Sequence, residues 1–295
     1  KEFPNVRLFS VARTTSQTVT TDFNSAGPWT VASPEALPEF SAVGWHFGRE
    51  LSSRLGNIPI GLIDSSVGGT SIEAWMSNRS LAGDPGFQPL LDHWKSKPDP
   101  NEMNRPGNLF NGMIAPMAPF RIRGTIWYQG EANVGRGAQY AKLFPAMIRS
   151  WRDEFSNPDM PFNFVQIAPF DYHDHSPQAI GELWDAQLKT LRQVDHTGMV
   201  VTTDIGEFDT IHPPDKQSVG KRLATLAAAQ TYADVSPASA TPACYSGPLY
   251  DSSAVAGAAI EVKFTHCGGG LKVAGDETLT GFTIAGPDRA FAPAI

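Results

Sequence analysis

Short apolar runs and amphipathic segments alternate along most of the chain. A continuous apolar run of this kind is typical of a strand that is buried on both faces. The runs are Val6–Val11, Ile58–Ile63, Thr125–Tyr128, Phe162–Ile167 and Met199–Thr203. Between them, apolar residues recur every three or four positions, which predicts helices with one buried face. The clearest helical segments are Gln139–Phe155, Gln178–Gln193 and Lys216–Tyr232.

The first helix has a start signal of its own. Ser33-Pro34-Glu35 combines a capping hydroxyl, a proline at the first helical position and an early acidic residue. The apolar residues that follow at helical spacing are Phe40, Val43, Phe47, Leu51 and Leu55. We therefore predict a helix that begins at Ser33 and packs one face inward.

The alternation of strands and helices predicts an α/β fold with a parallel sheet that helices cover on both faces. One segment, 80–108, does not fit the alternation. It carries many Gly, Pro and Asp residues and little periodicity. We predict that it forms a long loop or an irregular insert.

The pattern changes near the C-terminal end. After a Pro/Ser/Ala-rich linker at 236–242, the runs become β-rich, as at Ala259–Phe264 and Leu279–Ala285. We predict one large domain over residues 1–235 and a small β-rich segment over residues 236–295.

Composition narrows the possible partners. The chain has 295 residues, with 23 Lys+Arg against 30 Asp+Glu, and a formal net charge of −7. An acidic balance without a basic run argues against nucleic acid and anionic membranes as main partners. No apolar stretch approaches the ~18 residues of a membrane span. The two cysteines, Cys244 and Cys267, exclude a disulfide scaffold. They either pair in an oxidising compartment or stay free.

Polar residues follow the predicted strands, where a parallel sheet places its catalytic groups. After the strand Ile58–Ile63 comes Asp64-Ser-Ser-Val-Gly-Gly-Thr70. Its paired glycines, Gly68 and Gly69, permit backbone N–H groups to approach a developing oxyanion. After the strand Thr125–Tyr128 comes Gln129-Gly130-Glu131, in which the amide can donate to a reacting oxygen and Glu131 can orient it.

Two further loops carry histidines. After Met199–Thr203, Asp209 and His212 lie three residues apart in a loop that Pro213 restricts. This spacing lets a carboxylate orient an imidazole that faces a nucleophile. After Phe162–Ile167, the run His173-Asp174-His175 raises the alternative of metal-dependent hydrolysis. A third well-placed ligand is lacking nearby, so we predict no metal.

Several long motifs together resemble a known family. They are Asp64-Ser-Ser-Val-Gly-Gly-Thr-Ser-Ile-Glu-Ala-Trp75, Asn111-Gly-Met-Ile-Ala-Pro116, Trp127-Tyr-Gln-Gly-Glu-Ala-Asn133 and Asp209-Thr-Ile-His-Pro213. In order and spacing they resemble the sialate O-acetylesterase-like carbohydrate esterases of the SGNH hydrolase superfamily. The resemblance implies a flavodoxin-like, three-layer α/β/α domain. It also implies serine-type removal of O-acetyl groups from sugars such as sialate or xylan, without a cofactor.

The resemblance also implies roles for individual residues. His212 matches the general base, and Asp209 matches its partner. Gln129 matches the side-chain oxyanion donor, and Gly69 supplies the backbone donor. The aromatic residues Trp75, Trp127 and Tyr128 stack on a sugar or pack in the core. Esterases of this type are mostly secreted, periplasmic or lysosomal, and we expect a secreted or periplasmic protein.

The chain departs from the family at its nucleophile. The family's serine lies in a Gly-Gln-Ser-Asn-Met block that precedes the segment matching Asn5–Phe9, and the chain has no such block. We expect the serine upstream of Lys1, with Ser66 as a stand-in or no working nucleophile as the alternatives. Absence of that first strand would expose a sheet position next to the site. The family's C-terminal module also continues beyond Ile295. A non-catalytic carbohydrate-binding fragment remains the rival function.

Overall fold

The structure is a computed structural model that describes residues 2–234, 245–273 and 281–294. It divides into two compact units, Lys1–Ser246 and Gly247–Ile295. The predicted linker at 236–242 and Cys244 lie outside the described residues, so neither the linker nor the pairing of Cys244 with Cys267 is tested. Among the described helices, none combines the length and apolar character that crossing a bilayer requires.

Parallel strands form the centre of the first unit. One sheet has the order β2–β1–β3, in which β1 and β3 are parallel. The other has the order β4–β5–β6 and is parallel throughout. The bounds are β1 (Phe3–Ser10), β2 (Thr30–Ala32), β3 (Ile60–Asp64), β4 (Thr125–Trp127), β5 (Phe162–Val165) and β6 (Thr197–Val200).

Helices cover both faces of the β4–β5–β6 sheet, and α1 (Ala42–Arg54) packs against β1 and β3. The bounds of the other helices are α2 (Asn78–Gly83), α3 (Gln88–Lys95), α4 (Gly137–Glu154), α5 (Ala179–Gln193) and α6 (Lys216–Gln230). Alternate residues of β5 show the two faces. Phe164 packs edge-on against Phe144 of α4 at 4.9 Å, whereas Val165 packs against Val219 and Leu223 of α6. The predicted α/β class, with helices on both sides of parallel strands, is confirmed.

The two sheets share a helix layer but are not joined through their strands. Phe47 of α1 packs against the core clusters of both sheets. Among the described residues, however, no strand pairing connects β3 to β4. Ile63 of β3 and Ile126 of β4 are only half-buried, although all four residues of β5 are buried. Each of the strands β3 and β4 therefore has one edge that no described strand occupies.

The predicted start of the first helix is wrong. The helix α1 begins at Ala42, with the Ser41 hydroxyl accepting a hydrogen bond from the N–H of Gly44 at 3.1 Å. Before it, Leu37–Glu39 form a single 3-10 turn, and Phe40 is extended. Pro38 accounts for the interruption, because it has no N–H to donate to the carbonyl of Pro34, so a helix that began at Ser33 would lose that hydrogen bond.

The first half of the insert 80–108 is helical, so the prediction of an irregular loop is wrong there. The helices α2 and α3 flank a 3-10 turn, Pro85–Phe87, and bury Leu81, Phe87 and Leu90. Pro85 and Pro89 suggest a loop in the sequence, yet both stand in the first turn of their helices, where a proline is tolerated.

The described part of the second unit is β-structured. The strands β7 (Leu249–Ala256) and β8 (Ala259–Thr265) form an antiparallel hairpin. The short strands β9 (Thr283–Ile284) and β10 (Ala292–Pro293) form a second antiparallel pair. No described residue of this unit is buried.

Candidate active site

The loop after β3 presents a free backbone donor. Gly69 has a φ of +72°, in the left-handed region that favours glycine, and a Cβ there would meet no atom within 4 Å. Among the described residues, the N–H of Gly69 has no acceptor. Its exposed position lets it donate to a ligand oxygen.

Gln129, at the end of β4, ties this loop to the next one. Its Nε2 donates to the carbonyl of Thr70 at 3.0 Å and to Oδ1 of Asn133 at 2.7 Å. Its Oε1 accepts from the hydroxyl of Tyr140 at 3.1 Å. Both amide hydrogens are therefore engaged, and Gln129 donates to an oxyanion only after one of these bonds opens. Its role as oxyanion donor stays a prediction.

Asn133 and Glu73 form a buried polar core that the sequence reasoning missed. Asn133 is 0% exposed; its Oδ1 also accepts from the N–H of Ile72 at 3.0 Å, and its Nδ2 donates to Glu73 at 3.1 Å. Glu73 pairs with Arg136 at 2.7 Å. The available signal was polar residues set directly beside apolar ones, as in Ile72-Glu73-Ala74.

Ser66 lies on the surface of the loop after β3. Its hydroxyl donates to Oδ1 of Asp64 at 2.6 Å. The structure shows no hydrogen bond between Ser66 and His212. In this conformation Ser66 therefore lacks the base that would activate it as a nucleophile.

Asp209 and His212 share the loop after β6, and both are exposed. The backbone N–H of His212 donates to the hydroxyl of Thr210 at 3.3 Å. The structure shows no hydrogen bond or ion pair between the side chains of Asp209 and His212. Catalytic hydrogen bonds are often looser in ligand-free enzymes, so the assignment of these two residues stays a prediction.

The electrostatics of the site centre on Glu131. Burial raises the pKa of its carboxyl, and the charges of Lys216 and His212 act in the opposite direction. The Lys216 ammonium lies 5.5 Å from the centre of the Tyr128 ring. Burial, together with the charge of Glu131, also raises the pKa of Tyr128. Glu131 thus brings the loops after β4 and β6 into one electrostatic cluster.

Two predicted tryptophans of the site lie in the core, and one predicted histidine lies at the surface. Trp75 and Trp127 are 2% and 8% exposed. Their rings contact each other edge-to-face, with the centroids 6.1 Å apart. Their interpretation as platforms for a sugar is therefore wrong. At the surface, Nδ1 of His173 lies 3.3 Å from Oδ2 of Asp171. Among the described residues, no group of three or more His, Cys, Asp or Glu side chains is arranged to hold a metal ion.

Comparison with known proteins identifies the family. Residues 28–229 match the family model of a carbohydrate esterase described as a sialic acid-specific acetylesterase. The chain is 31% identical to the sialate O-acetylesterase of Rattus norvegicus over 279 residues, and 35% identical to that of Homo sapiens over 213 residues. These matches cover 79% and 66% of the chain, and 51% and 40% of the relatives.

A solved structure agrees with this result. A carbohydrate acetylesterase from Xanthomonas citri superposes with a TM-score of 0.80 at 32% identity, covering 98% of this chain and 62% of that one. The chain spans about half the length of the rat relative. With the family model matching most of the first unit, the chain belongs to the carbohydrate esterases of the sialic acid-specific acetylesterase family.

Proposed function

We propose that the chain is the core of a carbohydrate acetylesterase that removes O-acetyl groups from sugars through an acyl-enzyme. The observation that carries this proposal is the hydrogen bond from Gln129 to Thr70, which locks together the loops after β3 and β4. It fixes the amide of Gln129 to Thr70, the residue that follows Gly69 in the chain. Family membership supports the same chemistry.

The reaction follows from these groups. A serine hydroxyl attacks the acetyl carbonyl carbon and passes its proton to His212, and Asp209 stabilises the resulting imidazolium. The tetrahedral oxyanion accepts hydrogen bonds from Gly69 and from a reoriented Gln129, each worth roughly 2.7–4 kcal/mol. When the bond to the sugar oxygen breaks, His212 returns the proton to that oxygen. Water then repeats the sequence and releases acetate.

We place the nucleophile on a further parallel strand beside β3 and β4. Both strands have an edge that no described strand occupies, and the half-buried Ile63 and Ile126 fit a place for another strand there. A serine at the carboxyl end of such a strand lies at the same sheet edge as Gly69 and Gln129. A fluorophosphonate probe followed by peptide mass spectrometry tests this placement in the full-length protein. Label on Ser66 would overturn it.

Substitution of the general base tests the function itself. In the full-length protein, His212→Ala should lower turnover of p-nitrophenyl acetate at least ~10³-fold, because loss of one triad member disables the unit. His173→Ala is the matched control: it removes an exposed imidazole and should leave turnover unchanged. Near-native rates in His212→Ala contradict the proposal. Loss of activity in His173→Ala together with inhibition by a chelator supports the metal-dependent alternative.

The occupied amide of Gln129 favours one other function, carbohydrate binding without turnover. It predicts that the full-length protein binds a sugar, resists the fluorophosphonate and hydrolyses no acetyl ester. Any His212-dependent hydrolysis eliminates it.

A further inference from the structure

A cleft lies beside the loops of the candidate active site. It is a cleft of about 610 Å³ between α3, the turn Ile72–Trp75 and the start of α4. This volume falls within the ~300–1,000 Å³ range of small-molecule sites. The residues that line the cleft include Glu73, Trp94, Glu102, Asn104 and Arg136.

Hydrogen bonds connect the walls of this cleft to the oxyanion loops. Asn104 accepts from the N–H of Ser71 at 2.7 Å, and its amide donates to the carbonyl of Gly69 at 3.4 Å. Glu73, which also lines the cleft, connects to Gln129 through Asn133. A ligand in the cleft would therefore rest on the same framework that positions Gly69 and Gln129.

Trp94 gives the cleft an aromatic wall. It lies one helical turn after Leu90 on α3; Leu90 is buried, whereas Trp94 remains half-exposed. Arg105 lies 5.8 Å from the Trp94 ring and is fixed by hydrogen bonds to the carbonyls of Trp94, Lys97 and Asp99. An exposed indole beside polar groups suits the C–H face and hydroxyls of a pyranose ring.

The charges around the cleft select an uncharged sugar. The guanidinium of Arg136 is paired with Glu73 at 2.7 Å. Arg105 is committed to backbone carbonyls, and Glu102 adds another carboxylate. A sugar carboxylate would find no arginine here whose guanidinium is free for a bidentate pair, and it would face the carboxylate of Glu102.

We propose that this Trp94 cleft is a subsite for an uncharged pyranose ring of the glycan that carries the acetyl group. The ring stacks on Trp94, and its hydroxyls bond to the other polar groups that line the cleft. The link to the acetylated glycan rests on the proposed function.

Equilibrium binding tests the subsite independently of turnover. Xylotriose, lactose and chitotriose serve as uncharged probes, and N-acetylneuraminic acid serves as the acidic probe, each titrated calorimetrically into the full-length protein. At least one uncharged probe should bind, and Trp94→Ala should weaken it about 10-fold. Trp94→Phe should retain affinity within about 3-fold, since a ring remains. Trp29→Ala is the matched control, because Trp29 is also exposed but packs against Phe9 and Phe120.

Each contrary result has a defined meaning. Absence of binding by all uncharged probes, unchanged affinity in Trp94→Ala, or equal weakening in Trp29→Ala overturns the subsite. Tighter binding of N-acetylneuraminic acid, lost in Arg136→Gln, overturns the uncharged class. Trp94-dependent sugar binding in a protein without esterase activity would refute the proposed function but leave the sugar site standing.

Discussion

At the scale of single residues, the site depends on buried polar groups that satisfy one another. Asn133 accepts from Ile72 and Gln129 and donates to Glu73, all away from solvent. A buried donor or acceptor that loses its partner bears its full desolvation cost. Asn133 therefore contributes both to stability and to the placement of Gln129.

Replacing Asn133 by alanine should be strongly destabilising. Asn133→Ala leaves the Ile72 N–H and the Glu73 carboxylate each without one partner, so we expect a loss of about 3 kcal/mol in the free energy of unfolding. Urea denaturation measures it. Asn101→Ala, at an exposed position, is the control and should change the free energy by less than about 0.5 kcal/mol. Equal, small effects of both substitutions would contradict this role.

The raised pKa of Glu131 predicts a pH dependence of stability. Burial makes the folded state hold this proton at pH values where the unfolded chain has released it. The resulting stabilisation is complete below the unfolded pKa and is lost as the pH rises through the folded pKa. Glu131→Gln cannot ionise, so its stability relative to the native protein should increase as the pH rises above the ordinary glutamate pKa of about 4.

Unfolding curves across this pH range measure the effect. Glu39→Gln, at an exposed carboxyl, should keep the native pH profile. A pH-independent difference between the native protein and Glu131→Gln would show that ionisation of Glu131 is not the cause.

At the scale of elements, α1 and α6 approach closely because a glycine stands at their contact. A Cβ on Gly220 would lie 2.6 Å from the Cβ of His46 and 2.7 Å from the backbone nitrogen of Phe47. Backbone atoms in a helix cannot move away cheaply. This contact packs α6 against α1, the helix that packs against both sheets.

Gly220→Ala should consequently lower stability by about 1–3 kcal/mol, through overpacking that outweighs the better helix propensity of alanine. Gly181→Ala in α5 is the matched control. A Cβ at Gly181 would meet no atom within 4 Å, so alanine there should raise stability by about 0.5–1 kcal/mol. Thermal unfolding of both variants distinguishes the two effects; stabilisation by Gly220→Ala would refute the close contact.

At the scale of the whole molecule, the described core belongs to the first unit. Among the described residues, every buried hydrophobic side chain lies between Val6 and Ala228, and none in Gly247–Ile295 is buried. The core that stabilises the first unit is therefore formed by its own strands and helices.

A chain that ends at Ser246 should accordingly fold. We expect one cooperative thermal transition with a midpoint within about 2 °C of that of the first unit in the 295-residue chain. Circular dichroism and calorimetry measure it. Loss of cooperative unfolding in the shortened chain would show that the first unit depends on the second.

Much of the element order was predictable from the sequence. The strand β5 and the helices α4, α5 and α6 appear within a few residues of their predicted places, because hydrophobic periodicity is local. The errors fall where prolines give ambiguous signals. Pro38 delays α1, whereas Pro85 and Pro89 sit in the first turns of real helices.

By itself, the sequence determined the family, the parallel α/β architecture and the loops that carry candidate chemistry. Motifs and strand ends are local features of the sequence. Gly69 is a local feature too, because the positive φ at that position favours glycine whatever its neighbours are. Only the tertiary structure decided that both amide hydrogens of Gln129 are engaged, that Asn133 and Glu73 form a buried pair, and that Trp94 lines a cleft. The contacts of Gln129 with Thr70 and of Asn133 with Glu73 join residues far apart in the chain, which no periodicity encodes.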